Sequence, residues 1–356
     1  MALRRNGHHV KIFEASQTKA EIGAGVGVQA NALSILRQFG YSRENLKPAN
    51  FDGTIDFDAK NGIGIPRPLL TSIPDGVHDS VFCHRNDLYD ELKRLATGES
   101  IGGPPAQLLF NSKVVACDAE AGTVTLGNSE ITHADVVIGA DGIHSIVRTS
   151  VVGHTVKPPA LGLTCFRGLF DASNLNELED LEWLTEGLNG ARTVMMQEEE
   201  LRMIFVYPCR NGSLINFVGH HTDLNQEAAD WSPIATLEKV REKFADFHPK
   251  FLRVFDLPLH TPISKWQLRA VPILPTWIRG RAVLLGDAAH ATLPFLGQGA
   301  AMAIEEAAVL GCLLPAGTTK EDVPARLEAY QTLRKERGEF MSTAAVSEAV
   351  EPEKRG

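Results

Sequence analysis

The chain has 356 residues, which is enough for about two domains and a substantial core, and 44% of them are hydrophobic. A formal net charge of −9 disfavours non-specific binding to nucleic acid or anionic lipid, so we expect a small-molecule partner and no nucleic acid. No apolar run approaches the ~18 residues of a membrane span, and the amino terminus lacks the apolar core of a signal peptide, so we expect a cytoplasmic location.

The first residues match the second half of a dinucleotide-binding βαβ unit. Residues 1–6 have the pattern of a last helical turn, Gly7 is a typical helix stop, and residues 10–14 predict a strand that ends at the acid Glu14. In such units the acid lies about 20 residues beyond a G-x-G-x-x-G loop and binds a ribose. Only 13 residues precede Glu14, so we expect the loop and its strand to be missing. The alternative is a solvated acid at a strand end.

Three glycines, Gly23, Gly25 and Gly27, then form a G-x-G-x-G run. The run has the wrong spacing for a dinucleotide loop, and it predicts a close backbone approach or a sharp turn. Residues 30–39 form an amphipathic helix pattern that ends at Gly40.

Residues 48–78 are rich in Gly, Pro and Asp and predict hairpins that leave the first domain. A helix then runs to Leu95, with Asn86 or Asp87 as the expected N-cap. Arg85 is therefore expected beside a helix N-terminus.

Residues 134–139 form an apolar run that is typical of a strand buried on both faces of a parallel sheet. Asp141 and Gly142 follow this strand, and a helix with Ser145 and Arg148 comes next. The order strand, acid, glycine and helix indicates a second loop at the edge of the same sheet.

Antiparallel strands are predicted from about residue 160 to residue 266. The clearest hairpin pairs residues 201–208 with residues 214–220 across an Asn-Gly turn. By the period of two, one face of this hairpin carries Met203, Phe205 and Tyr207. His220 and His221 are adjacent on a strand and point to opposite faces, so at most one can enter a site, and we expect both to pack.

A second buried parallel strand is predicted at residues 282–285, and Asp287 follows it closely. A carboxylate at that edge lies where open α/β sheets bind their ligands. Residues 297–299, Gly-Gln-Gly, then begin a long Ala-rich helix, whose free N–H groups stabilise negative charge. The pattern suits a ligand with a polyol and an anionic head, such as flavin with its ribityl chain. The alternative is a helix-capping aspartate followed by turn glycines.

Two of these patterns resemble motifs of a known family. Residues 286–290, Pro294 and residues 297–300 resemble the GD motif of the para-hydroxybenzoate and salicylate hydroxylase type of flavoprotein monooxygenase. Residues 141–148, with the pattern D-G-x-x-S-x-x-R, resemble the DG motif of the same family. The resemblance covers about residues 1 to 340.

The resemblance implies FAD as cofactor, NAD(P)H as transient reductant and molecular oxygen as co-substrate. It also implies hydroxylation of an aromatic or polyketide-derived substrate through a flavin hydroperoxide, in secondary metabolism, without a metal site. The residues that it implies at the cofactor are Glu14 on the adenosine ribose, Gly27 close to the cofactor, Arg85 on the pyrophosphate, Asp141 at the crevice for flavin and nicotinamide, Asp287 on the ribityl hydroxyls, Ala300 against the flavin ring and Gly299 at the same helix start.

The substrate is expected to meet the antiparallel strands. By comparison with fungal relatives, Arg167 pairs with a phenolate or carboxylate and Tyr207 binds the ring hydroxyl, and these two are the expected catalytic residues. The alternative for Arg167 is a surface ion pair, and the alternative for Tyr207 is packing within the sheet. His290 is expected to pack or to support its neighbours, and Glu306 departs from the Asp that is more frequent in the family.

We therefore expect an α/β protein with a Rossmann-like FAD-binding domain, its first strand missing, and an inserted antiparallel substrate domain. The expected division is residues 1–47, 79–157 and 267–330 for the FAD-binding domain, 48–78 and 158–266 for the substrate domain, and 331–356 for a C-terminal helix. Two other functions stay open. One is a non-catalytic remnant that does not retain FAD, and the other is a flavoprotein reductase or a dissociation-inhibitor-like binding protein. The DG motif beside the GD motif argues against the last.

Overall fold

The computed structural model describes residues 1–17, 24–69, 80–99, 102–175, 178–196, 198, 200–224 and 234–350. Its α-helices are α1 (Ala2–Arg5), α2 (Ala30–Gln38), α3 (Arg85–Thr97), α4 (Ile146–Val152), α5 (Leu237–Lys243), α6 (Pro249–Leu252), α7 (Asp287–His290), α8 (Gly299–Leu313) and α9 (Val323–Val350). Short 3₁₀ helices lie at Glu44–Leu46, Glu182–Leu184, Arg253–Asp256 and Pro294–Leu296.

The strands fall into several sheets. They are β1 (Lys11–Phe13), β2 (Gly25–Val28), β3 (Ala49–Asn50), β4 (Gly53–Asp58), β5 (Gly64–Pro68), β6 (Val81–His84), β7 (Gln107–Leu109), β8 (Val114–Asp118), β9 (Thr123–Leu126), β10 (Ile131–His133), β11 (Val137–Gly139), β12 (Ala160–Asp171), β13 (Gly190–Met195), β14 (Arg202–Cys209), β15 (Leu214–Thr222), β16 (Ser264–Arg269), β17 (Ile278–Arg279) and β18 (Ala282–Leu284).

Parallel pairing joins strands that are far apart in the sequence. β1 pairs with β7, and β11 pairs with β18, with Val137 opposite Ala282. Ala282, Val283 and Leu284 are fully buried because helices cover this sheet, as the uninterrupted apolar pattern predicts. These parallel strands and a separate antiparallel sheet confirm the predicted α/β class.

The antiparallel sheet has seven strands in the order β16-β12-β15-β14-β13-β4-β5. The predicted hairpin is present, because β14 and β15 pair with Tyr207 opposite Asn216. Residues 210–213 turn the chain between the paired residues Cys209 and Leu214, with Arg210, Asn211 and Gly212 at left-handed φ angles of 49°, 56° and 85°. The sheet includes β4 and β5 beside the strands of residues 160–269, and the domain boundaries themselves stay a prediction.

The two faces of this sheet have different partners. One face carries an aromatic core that α5 and α6 help to cover, and its members include Phe57, Phe166, Phe170, Phe217, Phe251 and Phe255. The other face packs against the β2–β6–β3 sheet and against the segment after α7, with Met203, Val218, Leu293 and Phe295 in one cluster. This second face is the one that lies near the GD motif.

Two local features differ from or qualify the sequence predictions. The N-cap of α3 is His84, whose Nδ1 accepts the Asn86 N–H, and the predicted caps Asn86 and Asp87 are wrong. Asp87 is instead drawn into an ion pair with Arg210, at 3.0 Å. Helix α9 begins at Val323, before residue 331, where the sequence analysis starts the C-terminal helix.

In the part of the chain that the structure describes, no helix combines the length and the apolar character needed to cross a bilayer.

Candidate functional site

The loop after β18 is held in place by one buried glutamate. Gly286 adopts φ 59°, a left-handed value, and turns the chain from the strand into α7. Glu306, on α8, accepts the Gly286 N–H at 2.8 Å and the His290 Nε2–H at 2.7 Å. Glu306 and His290 are both buried, so this pair fixes the loop that carries Asp287 against α8.

Helix α9 extends this polar network. Arg334 on α9 lies 2.6 Å from Glu305 and 4.0 Å from Glu306. Arg337 pairs with Glu305 at 2.8 Å, and Asn31 donates to Glu305 at 2.6 Å. The two carboxylates of α8 thus lie beside two guanidinium groups, which offsets the cost of placing acids in a poorly solvated region.

Asp287 is an accessible carboxylate in a crowded groove. Its side chain reaches solvent, yet the surrounding protein atoms remove enough water to raise its pKa, and the charges of His290 and Arg85 oppose this rise. The influence of Arg85 means that the two predicted cofactor residues lie near each other. A carboxylate that is open to solvent is available to accept hydrogen bonds from hydroxyl groups.

Arg85 supplies a free cation near this groove. It is the first residue of α3, and its side chain is exposed. Its guanidinium makes no hydrogen bond or ion pair with any described residue. A cation at the N-terminus of a helix, without a partner among the described residues, suits an anionic ligand group.

The start of α8 is also open. Its N-cap residue, Gln298, makes no side-chain capping bond, and no acid lies in the first turn. A Cβ built on Gly299 meets no described atom within 4 Å, and Ala300 beside it is half-buried. Free backbone N–H groups therefore face open space at this helix end, as the sequence predicts.

Two predicted cofactor residues have partners within the protein. Gly27 lies in β2, and a Cβ built on it would approach the Phe82 ring to 3.2 Å, which explains the glycine by packing. Glu14 follows β1 and accepts the Ser16 N–H at 2.8 Å. Contact of either residue with a cofactor stays a prediction. Gly23 lies outside the described residues.

The DG motif forms a capped helix start. Asp141 accepts the Ile146 N–H at 2.7 Å and hydrogen-bonds the Ser145 hydroxyl. Arg148, which is 2% exposed, donates to the Ala288 carbonyl at 3.0 Å and to the Ile143 carbonyl at 2.5 Å. Arg148 therefore connects the DG loop to the GD loop. The role of Asp141 in shaping a crevice stays a prediction, and its observed contacts are helix-capping ones.

The predicted substrate residues lie on the same face of the seven-stranded sheet. Tyr207 is buried and stacks on Phe82, with ring centroids 4.2 Å apart. Burial raises its pKa, while the charge of Arg167 opposes the rise. Arg167 is half-buried, and its guanidinium makes no hydrogen bond or ion pair with a described residue. The structure thus brings an unpaired cation near a buried tyrosine.

One further polar group on this face was missed by the sequence reasoning. His220 is paired with Cys165 and Met203, and its ring lies 4.8 Å from that of Phe295, in the segment between Asp287 and α8. His221 faces the other way, against Phe166, which confirms the predicted alternation. Only the tertiary contact with Phe295 distinguishes the two histidines, so the sequence offered no signal.

These residues fit a flavin cofactor. Asp287 offers an accessible carboxylate for ribityl hydroxyls, and Arg85 offers an unpaired cation for a pyrophosphate. The open N-terminus of α8 stabilises negative charge on the ring. The charge of Arg85 acts on Asp287, and Glu306 of α8 bonds the loop that carries Asp287, so α3 and α8 both lie near this carboxylate.

Comparison with known proteins agrees with this geometry. A family described as "FAD binding domain" matches residues 1–345. A hispidin-3-hydroxylase of Neonothopanus nambi is 39% identical over 100% of this chain and 86% of its own length. The FAD-dependent monooxygenase cfoG of Aspergillus candidus is 33% identical over 96% of this chain and 80% of its own.

Solved structures show the same fold. A salicylate hydroxylase in a substrate complex superposes with a TM-score of 0.78 at 27% identity, over 98% of this chain and 85% of that one. HpxO of Klebsiella pneumoniae, complexed with FAD and uric acid, has a TM-score of 0.80 at 21% identity, over 98% and 83% of the two chains. Since the family match spans nearly the whole chain and two relatives exceed 30% identity, the chain belongs to the FAD-dependent monooxygenases.

Proposed function

We propose that the chain hydroxylates an aromatic or polyketide-derived ring, with NAD(P)H as the source of electrons and molecular oxygen as the source of the added atom. The observation that carries this proposal is the unpaired, half-buried guanidinium of Arg167, on the sheet face that Tyr207 shares. FAD, when bound, would supply the transfer of two electrons from NAD(P)H to oxygen, so that one oxygen atom could enter the ring and the other leave as water.

The residues of the chain bind and polarise the substrate. Arg167 pairs with an anionic oxygen of the substrate and so favours its deprotonated form, which makes the ring richer in electrons. The Tyr207 hydroxyl donates a hydrogen bond to the same region of the ring, because burial keeps it protonated. Apolar side chains around them keep water from the reacting atoms, and these are Met203, Phe205, Val218, Trp266 and Phe295.

The residues proposed to contact FAD hold the cofactor in position and take no direct part in the chemical step. Asp287 accepts hydrogen bonds from the ribityl chain, Arg85 binds the pyrophosphate, and the start of α8 meets the ring near Gly299 and Ala300. Glu14, Gly27 and Asp141 complete this proposed set. We place the protein in secondary metabolism and in the cytoplasm, since the relatives of fungal origin include a hispidin hydroxylase.

The test uses the purified chain loaded with FAD. Hispidin, the compound named for the relative at 39% identity, is added together with NADH or NADPH, and the product is examined by mass spectrometry for the gain of one oxygen atom. Arg167→Met is expected to lose at least tenfold in kcat/KM. Arg67→Met, which breaks only the exposed Arg67–Asp56 pair on edge strand β5, is the matched control and retains activity.

The outcomes separate the candidate functions. Hydroxylated product that depends on Arg167 supports the proposal. Oxidation of NAD(P)H without any oxygenated product favours a reductase, and a chain that takes up no FAD favours a non-catalytic remnant. Equal activity of Arg167→Met and Arg67→Met rejects the assignment of Arg167.

A further inference from the structure

His220 is a buried polar side chain on the face of the sheet that carries Arg167 and Tyr207. It is 4% exposed, and its Nδ1 has no hydrogen-bond partner among the described residues. A buried polar atom without a partner costs about 1–3 kcal/mol, and a ligand that pairs with it removes this cost. His221 also has an unpartnered nitrogen, Nε2, but its ring faces the opposite side of the sheet and its Nδ1 bonds the Thr222 carbonyl at 3.1 Å.

The location of His220 connects it to the proposed substrate site. Cys165 lies directly opposite it on β12, and Arg167 is two residues further along that strand on the same face. Arg167 also acts electrostatically on His220, which places the two groups in one region. Phe295, in the segment between Asp287 and α8, lies against the histidine ring.

The charge state of His220 follows from these surroundings. Burial, together with the charges of Arg167 and His221, lowers its pKa to about 3. The ring is therefore neutral at physiological pH, and one nitrogen carries a lone pair while the other carries hydrogen. A neutral imidazole next to a guanidinium can bond a hydroxyl or carbonyl group without repelling Arg167.

We infer that His220 is a substrate-binding residue, whose Nδ1 hydrogen-bonds a second polar substituent of the aromatic substrate while Arg167 binds the anionic one. The inference rests on the proposed function and narrows its substrate class to rings with two polar substituents. Diagonal neighbours on a sheet lie about 7–8 Å apart, a gap that an aromatic ring with a polar group at either end spans.

The experiment compares His220→Leu, His220→Asn and His221→Leu in the FAD-loaded protein. Hispidin is titrated into each variant, and binding is followed by the change in the flavin absorption band. We expect His220→Leu to weaken hispidin binding at least tenfold. His220→Asn, whose amide reaches about as far as Nδ1, recovers most of that loss, and His221→Leu on the opposite face binds hispidin as the wild type does.

Thermal unfolding of the same variants gives a readout that does not depend on the substrate. Because leucine removes an unpaired buried nitrogen, His220→Leu is expected to raise the melting temperature by about 2–4 °C. A histidine with a structural role would lower it instead. A drop in the melting temperature therefore overturns the inference, and so does unchanged hispidin binding.

Failure of the proposed function is distinguishable from failure of this inference. If the wild type does not bind hispidin, the choice of substrate under the proposed function is wrong, and the sign of the change in melting temperature decides the role of His220. A rise in the melting temperature of His220→Leu supports a ligand-binding role for His220, and a fall indicates that His220 stabilises the fold.

Discussion

The buried acid Glu306 offers the sharpest test of how the GD loop is held. Its two carboxylate oxygens accept one hydrogen bond each, from the Gly286 N–H and from His290 Nε2, and it is fully buried. In Glu306→Ala both donors stay buried without an acceptor. At about 1–3 kcal/mol for each donor, the expected loss of unfolding free energy is about 2–6 kcal/mol.

The variant Glu306→Gln removes the negative charge of the side chain and keeps both of its hydrogen bonds. The amide oxygen still accepts the Gly286 N–H, and the amide N–H₂ bonds His290 Nε2 once the imidazole proton moves to Nδ1. The remaining cost is the lost attraction to Arg334, at 4.0 Å, because Arg334 keeps its 2.6 Å pair with Glu305. We expect a loss of about 1 kcal/mol, clearly smaller than that of the alanine variant.

The assay is urea unfolding of the FAD-free protein, together with FAD affinity measured by quenching of flavin fluorescence. Glu336→Ala, an exposed change on α9, is the control and shifts stability by less than about 0.5 kcal/mol. Because Asp287 directly follows Gly286, the alanine variant is expected to weaken FAD binding as well. Equal stability of Glu306→Ala and Glu336→Ala would refute the reasoning, as would a glutamine variant that is as unstable as the alanine variant.

Three more predictions concern single side chains of the site. Arg148→Met removes charge-assisted bonds to buried carbonyls and is expected to cost about 2–3 kcal/mol in urea unfolding, whereas an exposed arginine would cost little. Burial raises the pKa of the Asp287 carboxyl above its ordinary value of 3.8. The folded state therefore holds the carboxyl proton more tightly than the unfolded chain does, and the free energy of unfolding falls as the pH rises from 3.8 through the folded-state pKa. Asp287→Asn is thus expected to melt higher than the wild type at neutral pH and equally below pH 3.8, and to bind FAD more weakly. Arg85→Gln is expected to lower FAD affinity at least tenfold without changing FAD-free stability, because Arg85 has no partner among the described residues; an equal loss of both would contradict its role.

The features that could be predicted from the sequence are local ones. The hairpin of β14 and β15 follows from alternating apolar residues around an Asn-Gly turn, and it forms as predicted. The turn from β18 through Asp287 to α8 follows from a buried strand, a glycine and an Ala-rich helix in immediate succession. In each case the responsible residues are neighbours in the chain, so their pattern is visible without knowledge of the fold.

The features that escaped prediction depend on residues far apart in the sequence. His84, rather than Asn86 or Asp87, caps α3, because Asp87 pairs with Arg210 from the hairpin turn. The contact of His220 with Phe295 likewise joins residues that are distant in the chain. A local pattern carries no record of such partners, which explains the wrong cap and the unpredicted ring contact.

The glycine run shows how tertiary packing changes the meaning of a motif. The run predicts a close backbone approach or a sharp turn, and a close approach is present, because a Cβ on Gly25 would lie 2.5 Å from the Tyr207 ring and the Gly25 N–H donates to Asn216 at 2.7 Å. β2 therefore meets the seven-stranded sheet at the position of a proposed catalytic residue. The other end of β2 leads through Gln29 into α2, whose Asn31 bonds Glu305 of α8. Because Gly25 and Gly27 lack side chains, β2 packs closely against Tyr207 and Phe82, and one short segment therefore links the sheet face of Tyr207 to helix α8.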